Sequence, residues 1–496
     1  MPPRNFARIT VTAALALLLS ACTALGPDYD APPEAEVQTS WTEKDSELVS
    51  SSAALDPRWW QSAFEDPVLN ELTDKALQQN LTLRSAGLRV LQSQQQLAIA
   101  VGNQYPQQQQ INGLAEREQE NGTRFNNYNV GFNLTWEVDF WGRFSRQVEA
   151  ASADLDASVA DYDDAMVSLI SQVAQSYLLL RTFQDRLKIA KANIILQQES
   201  LRIAQAKLDA GDTSELDVDQ AISLLQSTRA QVPALENSVQ QSKNALALLL
   251  GESPQSFNML AKTPGSIPNV KASIALGMPQ DLLRQRPDVR SAERRLAAQS
   301  ANIGFAVTEL YPHFTIGGSI GSNAMETSDL FSNEGEAWSY FGGFQWDVLN
   351  CGRLQSNVRL QDALFQQLLE DYKFTVLQAQ VDVENAIFAY LKSHEQVVAY
   401  QASVVASEKA VQISSSQYEN GLLPYNTVIT TLNSLRQQQD VLATAQGTVT
   451  TNLVQVYKSL GGGWQIRDNR DPVDLLPTAT KDSMLQRTGA WKGVLQ

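Results

Sequence analysis

Tyr128-Asn129-Val130-Gly131-Phe132-Asn133-Leu134-Thr135-Trp136-Glu137-Val138 alternates without a break: the even positions are aromatic or aliphatic, the odd ones polar or glycine. Side chains point to opposite faces of a strand at every residue, so this stretch predicts a strand with one apolar and one polar face. Its length is that of a tilted strand crossing a bilayer, about 9 to 11 residues. Trp338, Tyr340, Gly342, Phe344, Trp346 and Val348 mark a second such strand. Before it, Phe314, Ile316, Gly318 and Ile320 alternate with Thr315, Gly317 and Ser319. A weaker counterpart follows Pro106, where Gln107 to Gln110 are polar and only Ile111 and Leu114 are clearly apolar. Tyr128, Trp136, Trp338 and Trp346 fall near strand ends, as interfacial aromatic girdles do. Four strands cannot close a barrel, and open edges are forbidden in hydrocarbon, so such a chain must oligomerise through its strands. Two chains would enclose a filled interior, three a water-holding one. A soluble hairpin packed on helices is the alternative.

The chain is written twice. Arg84-Ser85-Ala86 recurs as Arg290-Ser291-Ala292 and Tyr105-Pro106 as Tyr311-Pro312; further on Trp136 matches Trp346, Gly142-Arg143 matches Gly352-Arg353, Gly211 matches Gly421 and Gly251 matches Gly461. Such self-similarity means two copies of one structural unit. Each reads as a helix, two strands, a very long helix, a turn and another helix, over residues 59–251 and 279–461. A Pro-rich connector, 252–278, includes Pro254, Pro264 and Pro268. An N-terminal arm, 22–58, and a C-terminal tail, 462–496, lie outside the repeat.

Stepping alternately four and three residues from Leu155 meets Val159, Tyr162, Met166, Leu169, Val173 and so on to Leu208; the same register in copy two runs from Phe365 to Tyr418. This heptad stripe predicts a left-handed coiled coil. Uninterrupted from Gly142 to Gly211, the helix would be roughly 100 Å long at 1.5 Å per residue. Its remaining faces are Gln, Ser, Asp and Ala, which suits a wall of a water-filled cylinder, although heptads alone fit a dry bundle as well.

Residues 1–21 have the charged, apolar and small-residue parts of a secretory signal, with Arg4 and Arg8 ahead of an apolar run too short to span a bilayer. Leu19-Ser20-Ala21-Cys22 resembles the lipobox of bacterial lipoproteins, which implies that Cys22 becomes a diacylated N-terminus; by the same resemblance, Thr23 in place of Asp favours the outer membrane. A net charge of −16 argues against nucleic acid, which needs clustered cations. Cys22 and Cys351 imply no disulfide framework, and His313 and His394 lack the neighbours in sequence that a metal site or catalytic triad requires. Gly317-Gly318-Ser319-Ile320-Gly321 opens no helix and so fails as a phosphate loop. No cofactor, metal or catalytic residue is expected; the chain does not read as an enzyme.

Gly26-Pro27-Asp28-Tyr29, Trp59-Trp60, Trp136 to Arg143, Leu282 to Arg290 and Lys458 to Trp464, taken in this order, resemble the TolC family, specifically the lipoprotein branch that partners resistance-nodulation-division pumps. The resemblance covers most of the chain beyond the leader. It implies a membrane α+β fold: a homotrimer whose twelve-stranded outer-membrane barrel, four strands per chain, continues into a periplasmic α-helical coiled-coil barrel. It also implies partners, a periplasmic adaptor protein and a proton-driven inner-membrane pump, for which the channel is a passive exit duct for drugs or other small toxic compounds. Metal ions or secreted proteins are alternative cargo, and a coiled-coil lipoprotein tether is the alternative without a channel.

In that picture Gly211, Asp212, Thr213 and Ser214, with Gly421, Leu422, Leu423 and Pro424, form the turns of the periplasmic tip. Gly211 and Gly421 suit a left-handed residue ending a helix, and Thr213 or Ser214 can cap the next one. Relatives often carry an aspartate after the second turn; Leu432-Asn433-Ser434-Leu435-Arg436 has Asn433 there and keeps Arg436. Acid comes instead from Asp209, Asp212, Glu215, Asp217 and Asp219, some of which are expected to pair with Arg436 and hold the tip closed.

Overall fold

A computed structural model of the chain describes residues 24–31, 34–43, 49–50, 56–255, 265–270, 274–275 and 284–495. Cys22, the 1–21 leader and part of the connector, including Pro264, lie outside these residues, as do Leu282 and Leu283. In chain order the elements are β1 (Val49–Ser50), α1 (Trp59–Phe64), α2 (Pro67–Gln79), α3 (Leu81–Gly102), β2 (Gln108–Glu120), β3 (Thr123–Val138), α4 (Arg143–Asp209), α5 (Glu215–Leu249), β4 (Ile274–Ala275), α6 (Pro287–Thr308), β5 (His313–Ala324), β6 (Glu336–Gln345), α7 (Arg353–Glu419), α8 (Tyr425–Ser459) and α9 (Thr478–Arg487). The order α3, β2, β3, α4, α5 recurs as α6, β5, β6, α7, α8, with helices of 22, 67 and 35 residues in each set.

Ahead of β2 stand three helices rather than the one expected from Trp59 onward. Asp66 accepts from the amides of Val68 and Leu69 and Pro67 occupies the first turn, so α2 starts there. Asn80 accepts from the Leu83 amide and starts α3. Each side chain satisfies amides left free at a helix start, which makes a break between helices inexpensive.

None of the heptad-stripe residues from Leu155 to Leu208 or from Phe365 to Tyr418 is exposed. Among the described residues the four longest helices end alike. Gly211, Gly251, Gly421 and Gly461 have φ between 69° and 79°. In each, the glycine amide bonds three residues back and the next amide five residues back, as in Asp212 N to Lys207 O at 2.8 Å and Leu422 N to Gln417 O at 2.8 Å. This double bond pattern needs a left-handed residue, which glycine adopts without strain.

The chain falls into two compact units. The first holds residues through 35 with 89–160 and 290–375. It contains a four-stranded antiparallel sheet in the order β2-β3-β5-β6. β2 and β3 run further than apolar alternation alone predicts, because Asn121 and Gly122, with φ of 51° and 84°, make a two-residue turn between them. β6 ends at Gln345, ahead of Trp346 and Val348. Gly317 and Gly318 lie inside β5, paired with Thr135 and Leu134.

The second unit, 36–88 with 161–289 and 376–496, packs Trp59 against Tyr457 with ring centroids 4.9 Å apart and buries Trp59 and Trp60 completely. Here α8 crosses α4 at Gly447, where an added Cβ would come within 2.7 Å of the Thr182 methyl and overlap its hydroxyl. Gly447→Ala is therefore expected to lower stability by about 1–3 kcal/mol, the usual range for overpacking. Thr182→Ala in the same chain should restore most of the loss. Thermal unfolding of the single and double variants measures it; an unrescued loss would show that another contact governs the site, since helix propensity alone favours alanine.

Candidate functional site

Pairing in the sheet aligns the apolar residues of all four strands on one face. The rows are Phe132–Ile320–Trp338, Leu134–Gly318–Tyr340, Trp136–Ile316–Gly342 and Val138–Phe314–Phe344, and β2 adds Ile111 beside Phe132. Trp338, Tyr340 and Phe344 are 66%, 82% and 70% exposed, far from the buried state their side chains favour. Opposite rows are Asn133–Ser319–Ser339 and Glu137–Thr315–Gly343, with Phe341 lying over Gly317 as the large exception. Tyr128 and Trp338 stand toward the hairpin ends of their strands, Trp136 and Trp346 toward the helices.

At the helix-ward end, indole N–H groups bind backbone carbonyls: Trp136 to Gln104 at 3.2 Å, Trp141 to Pro312 at 2.9 Å and Trp346 to Leu310 at 3.0 Å. Asp139 accepts from the amides of Phe144 and Ser145 and so starts α4. Arg143 donates to Glu137 at 3.1 Å and to Glu309 at 2.6 Å, and His313 Nδ1 lies 2.9 Å from Glu137. Neighbouring sequence offers His313 only Glu309, four residues back and 4.0 Å from its Nε2, while the fold supplies Glu137 from 176 residues away. A signal for the pairing of Arg143 with Glu137 exists in the repeat, since Asp347 and Arg353 stand at 3.4 Å in the corresponding positions of copy two.

In the second unit the turns between α4 and α5 and between α7 and α8 carry the residues singled out as a tip. Beneath them lies an apolar cluster of Ala204, Val218, Ala221, Val411, Tyr418, Tyr425, Val428, Leu432 and Leu435. Leu422 is exposed above it. Ser214 occupies the capping position of α5 but makes no side-chain bond there, while Thr213 donates to Asp217 instead. Pro424 opens α8. Tyr418 points its hydroxyl toward Asp217 at 3.5 Å, and Tyr425 shares a 2.8 Å hydrogen bond with Ser200. Burial pushes both phenols above the usual tyrosine range, so both remain protonated. Asp209 accepts from Gln205 at 3.1 Å. Arg436 donates to Gln231 at 3.2 Å and Asn433 at 2.9 Å, so among the described residues its partners within the chain are amides rather than the tip carboxylates. No cluster of metal-ligating side chains is found among the described residues.

The family described as outer membrane efflux protein has a model that matches residues 72–252 and 278–462. Nodulation protein T of Rhizobium leguminosarum bv. viciae is 31% identical over 96% of this chain and 97% of its own length. The pyoverdine export outer membrane protein OpmQ of Pseudomonas putida is 31% identical over 91% and 96%. The solved structure of the outer-membrane channel OprN aligns with a TM-score of 0.84 at 31% identity, covering 89% of this chain and 99% of that one.

Proposed function

Because the chain belongs to the outer membrane efflux protein family, we propose that three copies form one channel, a passive exit duct that receives small toxic compounds from an inner-membrane pump through a periplasmic adaptor. The observation that carries this is the in-register apolar face of a sheet whose outer strands, β2 and β6, each have one edge unpaired among the described residues. An apolar face suits hydrocarbon, and hydrocarbon does not tolerate open edges, so β6 of one copy joins β2 of the next. The opposite face, rich in Asn, Ser, Thr and Gly, suits water, which a ring of twelve strands accommodates and one of eight does not.

A second feature of α7 supports assembly. Leu377, Val398 and Val405, each about 60% exposed, follow the stripe residues Val376, Val397 and Val404 by one position. They form a second apolar stripe roughly 100° around the helix, available to a helix of another copy. The duct does no chemistry; its selectivity lies in pore width and charge. Asp209, Asp212, Glu215, Asp217 and Asp219 give the turns a negative potential, and Arg436, with Asn433, sits on α8 two to three turns beyond Pro424 as the cation of the gate.

In a planar bilayer the purified protein is expected to give discrete, cation-preferring channels, and the detergent-solubilised particle to have the mass of a trimer. Arg436→Ala should raise the conductance. A monomer silent in both forms would overturn the duct in favour of a tether.

A further inference from the structure

The first described residues, which follow Cys22 closely, are gripped by one buried side chain. Arg146, in the first turn of α4, is 2% exposed. Its Nε donates to Leu25 O at 3.0 Å; its Nη2 donates to Asp28 Oδ1 at 2.7 Å, Gly26 O at 3.3 Å and Ala24 O at 3.5 Å; its Nη1 reaches Glu149 at 2.7 Å. The Leu25 amide in turn donates to Trp141 O at 3.0 Å.

Glycines shape the slot. Gly26 has φ +98° against Gly304; a Cβ on Gly304 would stand 2.9 Å from Leu25 O, and one on Gly142 would stand 2.7 Å from Ala24 Cα. Tyr29 packs on Ala153, Ala297 and Ala298 and donates to Glu293 at 3.0 Å. Gly26-Pro27-Asp28-Tyr29 therefore spells a docking segment: a glycine where a side chain would collide, a carboxylate for the guanidinium and a ring for the alanine face.

We propose that Arg146 and this slot form an intramolecular receptor for the segment after Cys22, and that this docking, rather than the acyl chains, fixes where the lipid anchor meets the membrane. The proposal rests on reading Cys22 as acylated. Two residues of chain reach at most about 7 Å, so a lipid on Cys22 is tied within that distance of Ala24. Ala24 lies against Gly142, the residue after Trp141, whose ring is 4.9 Å from that of Tyr311 at the helix-ward end of the sheet. Aromatic residues of this kind belong to the membrane interface, the level at which acyl chains must enter. Arg146 is thus a positioning residue for the anchor.

Hydrogen exchange on the full-length protein tests the docking, and the mass of its N-terminal peptide tests the acylation separately. Arg146→Met should speed exchange over residues 24–29 by about 100-fold and Asp28→Asn by about 10-fold, as expected for loss of charge-assisted hydrogen bonds, with β3 and β5 unchanged. A form exported with a non-lipoprotein leader should keep wild-type protection of the same segment. Unchanged exchange in both variants, or lost protection in the unacylated form, would overturn the proposal, because the lipid would then be the holding element. Faster exchange throughout β3 and β5 in Asp28→Asn would also overturn it, since the contact would then be a general structural one. Asp28 is 75% exposed, so Asp28→Asn remains informative even where Arg146→Met fails to fold. An N-terminal peptide without acyl mass would remove the reading of Cys22 while leaving the docking measured.

Discussion

Ile320→Lys is expected to abolish stable insertion of the protein in the outer membrane, while Ser319→Lys, one residue away, leaves it inserted with altered ion selectivity. Ile320 lies between Phe132 and Trp338 on the apolar face and is 58% exposed. Ser319 lies on the opposite face, its hydroxyl 2.8 Å from that of Ser339. A lysine at the bilayer midplane of a barrel costs about 2–4 kcal/mol, falling toward zero at the interface. That is a large part of the stability of an ordinary fold, about 5–15 kcal/mol, and every copy in an assembly would carry it. Lysine on the water-filled side costs little and adds a positive charge where ions pass. Membrane fractionation and single-channel reversal potentials read both outcomes. Equal tolerance at the two positions would mean that the sheet does not face lipid.

Arg467→Met should cost about 3–5 kcal/mol, the range for leaving a buried charge without its partner. Arg467 Nε and Nη2 bind the two oxygens of Asp163 at 2.7 and 3.0 Å, with side chains 7% and 0% exposed. This pair fastens the segment after α8 to α4. Pairing Arg467→Met with Asp163→Leu should recover most of the loss, since an apolar replacement of similar size removes both desolvation costs together. Thermal unfolding of the detergent-solubilised protein and proteolysis of residues 464–487 are the readouts. A single-variant loss under about 1 kcal/mol would show that water reaches Asp163 and screens it.

What was legible in the sequence was whatever repeats at a short period. Alternation over Tyr128 to Val138 and the heptads from Leu155 and Phe365 each involve neighbours one turn or one pleat away, so local pattern and burial coincide. The hairpin at Asn121-Gly122 carried a strong turn signal of its own, but its flanks, Glu116 to Glu120 and Thr123 to Asn127, are polar on both faces, so alternation stops before the strands do. The starts of α2 and α3 rest on single side chains, Asp66 and Asn80, which a reading led by the long repeat passes over. Less legible still were contacts that join distant stretches: His313 with Glu137, Arg146 with Asp28, Arg436 with Gln231. A side chain's partner there is set by helix crossing and sheet register, neither of which is written at the residue itself. For Arg436 the partners within one chain are the amides of Gln231 and Asn433, to which its charge alone does not point.

The two hairpins of the sheet differ in a way that shapes whatever rim a ring of chains presents. β2 and β3, of 13 and 16 residues, meet in a two-residue turn, and Thr123 to Asn127 pair with β2 alone, beyond the reach of β5. β5 and β6, of 12 and 10 residues, are joined by the segment 325–335, with Phe331 83% exposed. Each chain therefore contributes two unlike tips, a narrow charged ridge bearing Arg117 and Arg124 and a broad cap. The cap is free to vary in length, because its length sets no register. The ridge is not, since both residues of its turn hold positive φ, 51° and 84°, and one inserted residue there would turn every side chain of a strand to the wrong face.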